Sequence, residues 1–265
     1  MTSEPRCARA TFVGALLLAL LPPAEAHAAP GINLMWNRCF GEGSGVQNVS
    51  FACNTNAGSR AMVGSFALTR PMPNVIGTEI IVQLASESPA LPEWWRFRNA
   101  GYCRLNSLSA NFVLNPLDVV CVDWAQSFAV GGLGAYCTAD FGCPQFEAAN
   151  VALIKAINAV PQADAMDLLG GVEYFDFNLL INNVKTVGTG NCAGCSTPVC
   201  SVLNSIRVVD RGDVSARQIT TPSAPGSNFV TWQGGGVPVV GGVSGCPAAT
   251  PVKRSTWGSV KSLYR

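Results

Sequence analysis

The chain has 265 residues, of which 48% are hydrophobic and 12% are charged, and its formal net charge is +1 at pH 7. This nearly neutral net charge and low charged fraction give no electrostatic indication of nucleic acid or anionic lipid as a partner, and we expect no nucleic-acid binding. The hydrophobic fraction is large enough to form a substantial core. The length fits one large domain or two small ones, and we favour one.

The first 28 residues have the features of a secretory signal peptide. Arg6 and Arg9 give a positive start, an apolar run covers residues 12–21, and Ala-Glu-Ala-His-Ala at residues 24–28 offers small-residue cleavage sites. The apolar run is shorter than the about 20 residues that a membrane-spanning helix needs. We therefore expect cleavage near Ala28, no transmembrane segment in the mature chain, and a secreted, extracellular or periplasmic location.

The leader also contains His27, the only histidine of the chain. Nucleophilic sites of the Ser-His-Asp or Cys-His type need a histidine to move the proton, and cleavage after Ala28 removes it. Zinc sites built on histidine are excluded for the same reason. We predict neither a metal site nor a cofactor.

Segments of alternating apolar and polar residues after the leader predict β-strands. In Gly77–Leu84 we expect Ile80, Val82 and Leu84 to share one face. Shorter runs of this kind occupy Ser59–Leu68, Leu105–Leu114, Ser201–Val209 and Phe229–Gln233. Many short strands separated by Gly- and Pro-rich turns predict an all-β fold, either a sandwich or a barrel.

The clearest alternation lies in Gly171–Ile181. There we expect Phe175, Phe177, Leu179 and Ile181 to point to one face of the sheet. The intervening residues 174, 176, 178 and 180 are expected to point to the other face.

Two segments are less regular. Residues 146–160 contain five alanines and fit either a helix or a strand ending at Pro161, and we favour the strand. Residues 91–97 are expected to form one helical turn, because Pro92 suits the first position of a helix.

Removal of the leader discards Cys7 and leaves ten cysteines, an even number that five disulfides would use completely. They are Cys39, Cys53, Cys103, Cys121, Cys137, Cys143, Cys192, Cys195, Cys200 and Cys246. Short sequence separation favours three pairs, namely Cys39–Cys53, Cys103–Cys121 and Cys137–Cys143. The remaining four are unassigned, with Cys246 expected to pair within the 192–200 cluster. Structural disulfides imply an oxidising compartment.

The cluster at residues 192–200 has two chemical alternatives, because its Cys-x-x-Cys spacing also occurs in redox pairs and in zinc sites. A redox pair opens a helix, whereas this cluster lies among glycines and Pro198, which favours a loop. Structural disulfides are therefore the preferred interpretation.

We divide the chain into a signal peptide over residues 1–28, a β-sandwich domain with disulfide-stapled loops over residues 29–221, and a C-terminal segment over residues 222–265. The last is rich in Gly, Ser and Pro. Trp232, Cys246 and Trp257 indicate that it docks on the domain. Its ending is compatible with a sorting signal, but we favour a docked terminal segment.

The strand pattern of Gly77–Leu84 and Gly170–Ile181, each a glycine followed by an alternating strand, resembles the opening and late strands of cohesin-like modules. These are β-sandwiches found in secreted bacterial proteins. The resemblance covers about residues 30–210 and implies an immunoglobulin- or cohesin-like sandwich that binds a partner through one sheet face. No recognition residue matches, so no partner site is transferred, and the cysteine content departs from that of typical cohesins.

Trp94 and Trp95 are the most suggestive aromatic residues. Adjacent side chains on a helical turn diverge by about 100°, so one indole could be half exposed and stack on a sugar ring. We favour the other interpretation, in which both pack in the core.

Three functions are compatible with these observations. We expect a non-catalytic extracellular or cell-surface module with an adhesion, structural or protein-interaction role and a protein or glycan partner. The second is a carbohydrate-binding module that uses Trp94 or Trp95. The third is a glycoside hydrolase with two carboxylates across a cleft. Glu173 and Asp176 cannot form that pair, because we expect them on opposite faces of a strand.

Overall fold

A computed structural model describes residues 28–97, 102–143, 148–212 and 216–234. Thirteen strands and two short 3-10 helices, Glu93–Trp95 and Gln162–Asp164, make up this part of the chain. The strands are β1 (Gly31–Trp36), β2 (Asn48–Val49), β3 (Ser59–Ala67), β4 (Met72–Ser86), β5 (Leu108–Asn111), β6 (Val122–Asp123), β7 (Val130–Thr138), β8 (Val151–Ala159), β9 (Met166–Leu168), β10 (Glu173–Asn182), β11 (Val199–Asp210), β12 (Arg217–Ile219) and β13 (Phe229–Trp232).

The strands form two packed sheets, which confirms the predicted all-β sandwich. Sheet 1 has the order β1-β3-β10-β5, and β6 pairs with β10 in parallel. Sheet 2 has the order β2-β13-β11-β4-β8-β7, with β12 added to β11 and β9 added to β4. The two longest strands, β4 and β11, pair antiparallel at the centre of sheet 2.

The core lies between the sheets and follows the predicted strand faces. Ile80, Val82 and Leu84 of β4 are buried in it, as the alternation of Gly77–Leu84 predicts. The segment at residues 146–160 contains strand β8, so the prediction of a strand there is confirmed. The predicted helical turn at residues 91–97 is present as the 3-10 helix Glu93–Trp95.

Strand β10 departs from the predicted alternation. Its register with β3 shifts between Phe175 and Phe177, which places Asp176 in a β-bulge. The bulge changes the facing of the residues before it. Tyr174 and Phe177 therefore both face the main core, whereas Phe175 packs in a separate cluster with Cys39 and Cys121. The prediction that Phe175 and Phe177 share a face is wrong for this reason.

Gly64 of β3 is required by close packing within sheet 1. It pairs with Phe177 across the strands, and a Cβ at this position would fall 2.0 Å from the Phe177 ring. The ring occupies the space that any larger side chain would need. A glycine in the middle of a strand is here explained by the neighbouring aromatic residue.

The C-terminal segment contributes to the sandwich. Strand β13 lies between β2 and β11, and Trp232 is buried at its end. The sandwich therefore extends past the predicted boundary at residue 221. The rest of the predicted docking segment, residues 235–265, lies outside the described residues, as does the predicted signal peptide up to residue 27.

The disulfides connect distant parts of the chain. The described pairs are Cys39–Cys121, Cys53–Cys195, Cys103–Cys192 and Cys137–Cys143. Only the last was predicted. Cys39–Cys53 and Cys103–Cys121 are wrong, because three of the pairs join loops brought together by the sheets across separations of 82 to 142 residues.

The cysteine cluster at residues 192–200 is divided among different bridges. Cys192 and Cys195 bond to different partners, so this spacing is not a redox pair. Cys200 is also disulfide-bonded. Its predicted candidate partner, Cys246, lies outside the described residues. The disulfides indicate an oxidising compartment.

Candidate functional site

The predicted sugar-stacking residues form part of the core. Trp94 and Trp95 are both fully buried, and their ring centroids lie 5.0 Å apart. Trp232 stacks on Trp94 at 5.1 Å and meets Trp95 edge-on at 5.5 Å. Neither ring offers a free face to a ligand, so these two residues give no support to the carbohydrate-binding hypothesis. The interpretation that both pack in the core is confirmed.

A buried arginine, Arg104, packs against this aromatic cluster. The Arg104 guanidinium lies 3.6 Å from the Trp94 ring centroid and donates to the carbonyl oxygens of Trp94, Val184 and Asn182. Burial lowers the pKa of Arg104 to about 9. Its hydrogen bonds join the 3-10 helix to the end of β10 and to the loop after it, so its role is structural. Sequence reasoning missed it, because an isolated arginine carries no signal of burial.

Glu173 is a buried carboxylate on the outer face of sheet 1. It accepts hydrogen bonds from Asn33 Nδ2 at 2.7 Å and from Ser65, its neighbours on β1 and β3. Burial raises its pKa, against the lowering effect of these two bonds. The side chain is held within the sheet surface and lines neither of the two described grooves.

Asp176 is buried on the other side of that sheet. Its Oδ1 accepts hydrogen bonds from Thr78 Oγ1 at 2.6 Å and from Trp124 Nε1 at 3.1 Å. Burial raises its pKa to about 6. Because Glu173 and Asp176 lie on opposite sides of sheet 1, they do not face each other across a cleft, and these two residues supply no glycosidase pair.

The most unusual surface is an apolar loop between β5 and β7. Thirteen large apolar side chains are exposed among the described residues, and seven of them fall within residues 113–130. Five lie within ten consecutive residues, which we call the apolar loop (residues 113–122). They are Val113 (67% exposed), Leu117 (69%), Val119 (85%), Val120 (44%) and Val122 (50%).

Several contacts fix the backbone of the apolar loop. The Cys39–Cys121 disulfide ties its end to the loop that follows β1. Arg38 forms an ion pair with Asp118 and donates to the Leu117 carbonyl. Each of these contacts holds the main chain or a polar side chain, leaving the apolar side chains directed outward.

A second set of contacts comes from Glu42. Its Oε1 accepts the backbone N–H groups of Val119 and Val120, the latter at 2.7 Å. The bond from Val120 is the main reason that the pKa of Glu42 is lowered. Arg38, Glu42 and Asp118 thus pair with one another or with the backbone of the loop, and the side chains that the loop exposes are apolar.

Sequence reasoning did not identify this loop. The run Leu-Asp-Val-Val-Cys-Val at residues 117–122 has the composition of a buried strand, and a buried strand is the usual interpretation of such a run. Only the anchoring of Asp118 and Cys121 toward the sheet shows that the valines point outward. An apolar run that follows Asn115 and Pro116 was the available signal, since both residues favour a loop.

The described residues contain no group of three or more His, Cys, Asp or Glu side chains arranged to hold a metal ion. In the same ranges, no helix has the length and hydropathy needed to cross a membrane. No protein-family model, no curated protein and no solved structure matches the chain. The resemblance to cohesin-like modules therefore stays a prediction.

Proposed function

We propose that the chain is exported, loses its leader near Ala28 and acts as a non-catalytic structural module that associates with copies of itself through the apolar loop. The observation that carries this proposal is a rigidly anchored loop with outward-facing apolar side chains. Exposed apolar patches of this kind mark interaction sites. A loop whose backbone is fixed before binding loses little conformational entropy when a partner docks.

Charge and area favour a second copy as the partner. The formal net charge of +1 produces little repulsion between copies, and the loop itself has no unpaired charge. The five exposed side chains present roughly 500 Å² of apolar surface, at the upper end of the largest patch on a typical monomer. Two copies meeting through this loop would bury roughly 1,000 Å², the lower limit for a specific interface.

Sedimentation equilibrium over a hundredfold range of protein concentration tests this proposal. The mature protein should form a dimer, and the Leu117→Ser/Val119→Ser variant should weaken the dimer by at least about tenfold, since two apolar anchors are lost. Val184→Ser is the matched control, because Val184 is 50% exposed and lies outside the loop. A monomer at every concentration, or equal weakening by the control, would contradict the proposal.

Export is tested separately. Protein recovered from the exterior or periplasm of its native host should begin near Ala29 and should contain no free thiols. Intact-mass measurement before and after reduction checks both points. A full-length product retained in the cytosol with reduced cysteines would refute this part of the proposal.

A further inference from the structure

A second surface has polar chemistry and shares no residue with the apolar loop. It is an open groove of about 430 Å³ between the β3–β4 turn and β12. We call it the arginine groove, since Arg70 and Arg217 both line it. Its volume falls within the range of small-molecule sites in proteins.

The Arg217 side chain is fixed in place by the backbone of the opposite wall. Its Nη1 donates to the Arg70 carbonyl at 2.6 Å and its Nη2 donates to the Pro71 carbonyl at 2.8 Å. These two bonds use only part of the five donors of a guanidinium. The other N–H groups of Arg217 have no hydrogen-bond partner among the described residues, and they can donate to a ligand with oxygen acceptors.

The two arginines bring two positive charges to one groove. Within the described ranges, neither guanidinium forms an ion pair with a carboxylate, and no acidic residue lines the groove. Burial, together with the nearby charge of Arg70, lowers the pKa of Arg217. Two like charges side by side favour an anionic ligand between them.

The rest of the lining combines apolar residues with neutral polar ones. Thr69, Thr220 and Thr221 line the groove, and no hydrogen bond engages their side chains among the described residues. Threonine hydroxyls suit a ligand that carries hydroxyls of its own. A neighbouring groove shares Pro30, Leu68 and Thr69 with this one, which gives room for a ligand longer than one ring.

We propose that the arginine groove binds an acidic oligosaccharide, with Arg70 and Arg217 holding its carboxylate or sulfate oxygens and the threonines holding its hydroxyls. This site is distinct from the buried Trp94 and Trp95. It would allow a self-associating module to attach to an acidic glycan.

Isothermal titration calorimetry with three probes tests the assignment: a heparin-derived hexasaccharide, a polygalacturonate hexamer and neutral maltohexaose. One or both acidic probes should bind, with affinity falling as salt is raised. The neutral probe should not bind. Preference between the two acidic probes separates sulfate from carboxylate as the recognised group. Failure of both acidic probes to bind would overturn the proposal.

Arg70→Gln should weaken binding by about tenfold, the loss expected for one charge-assisted contact. Arg70 is exposed, so this variant should fold normally. Arg60→Gln is the matched control, because it removes the same charge at the opposite end of the β3 strand. Unchanged affinity in Arg70→Gln, or an equal loss in Arg60→Gln, would show that the groove is not the site.

A second variant separates sugar recognition from simple charge attraction. Thr220→Val/Thr221→Val removes two hydroxyls with little change of shape and should weaken the oligosaccharide severalfold. Unchanged affinity would overturn the role of the hydroxyls. Self-association should be unaffected by any of these variants, so failure of the glycan site and failure of the dimer can be told apart.

Discussion

Replacement of Asp176 by Asn should stabilise the protein at neutral pH. Asp176 is fully buried, and burial raises its pKa from 3.8 to about 6. At pH 7 the folded state must therefore hold a charge in the core. Asn keeps an oxygen that can accept from Thr78 and Trp124, and its amide replaces Oδ2, an atom that has no hydrogen-bond partner. Asn158 is a neighbour, since its Nδ2 donates to the Asp176 carbonyl oxygen at 3.0 Å, and its Oδ1 also lacks a partner.

The magnitude follows from the pKa difference between the folded and unfolded states. An acid with a raised folded pKa binds its proton more tightly in the folded state, so its contribution to stability is fully present below about pH 3.8 and is lost as pH rises through 6. Ionisation of the buried Asp176 therefore lowers the free energy of unfolding by about 3 kcal/mol at pH 7, relative to acid pH. The free energy of unfolding of the Asp176→Asn variant should therefore be higher than that of the wild type by up to about 3 kcal/mol at pH 7, and by little at pH 4.

Urea unfolding followed by tryptophan fluorescence at pH 4, 5, 6 and 7 measures this difference. Subtracting the wild type from the variant removes the contributions of the other titrating groups. Glu87→Gln is the control, because Glu87 is exposed and should give a difference near zero at each pH. A variant no more stable than the wild type at pH 7, or a difference that does not change with pH, would refute the reasoning.

Three further predictions concern packing and covalent structure. Removal of the Cys39–Cys121 bridge should lower the free energy of unfolding by about 4.5 kcal/mol and removal of Cys137–Cys143 by about 2 kcal/mol, because they close loops of 82 and 6 residues. Urea unfolding of the paired Cys→Ser variants would compare them, and equal losses would contradict the loop-closure argument. Gly64→Ala should lower the free energy of unfolding by roughly 1–3 kcal/mol, since the new Cβ would overlap the Phe177 ring. An unchanged melting temperature would contradict that packing. Non-reducing peptide mapping should recover Cys200 joined to Cys246, because the other eight described cysteines are paired with one another; Cys246 recovered as a free thiol would rule this out.

The sequence was sufficient to predict those strands in which apolar residues alternate with polar ones because only one face is buried. Strand β4 alternates cleanly because Ile80, Val82 and Leu84 all face the other sheet. The alternation failed in β10, where a polar residue is accommodated in the core by a bulge. A bulge adds one residue to one strand only, and the local sequence pattern of β10 does not predict it.

The disulfide pairs show a different limit. Short separation correctly gave Cys137–Cys143, which spans the tight turn after β7. The other described bridges depend on which loops the sheets bring together, and this is a property of the whole fold. The same applies to Trp94 and Trp95, since their burial depends on Trp232, 138 and 137 residues further along the chain.

The apolar loop depends on the bridges that could not be predicted. Without Cys39–Cys121 and the Arg38–Asp118 ion pair, a chain segment this rich in valine would collapse onto the nearest apolar surface. The bridge and the ion pair instead hold the backbone in a position from which Leu117, Val119 and Val120 cannot reach the core. The covalent link thus contributes to keeping an apolar surface exposed, together with the ion pair and the Glu42 hydrogen bonds. The Cys39→Ser/Cys121→Ser variant should therefore dimerise more weakly than the wild type in sedimentation equilibrium, and an unchanged dimer would contradict this role of the bridge.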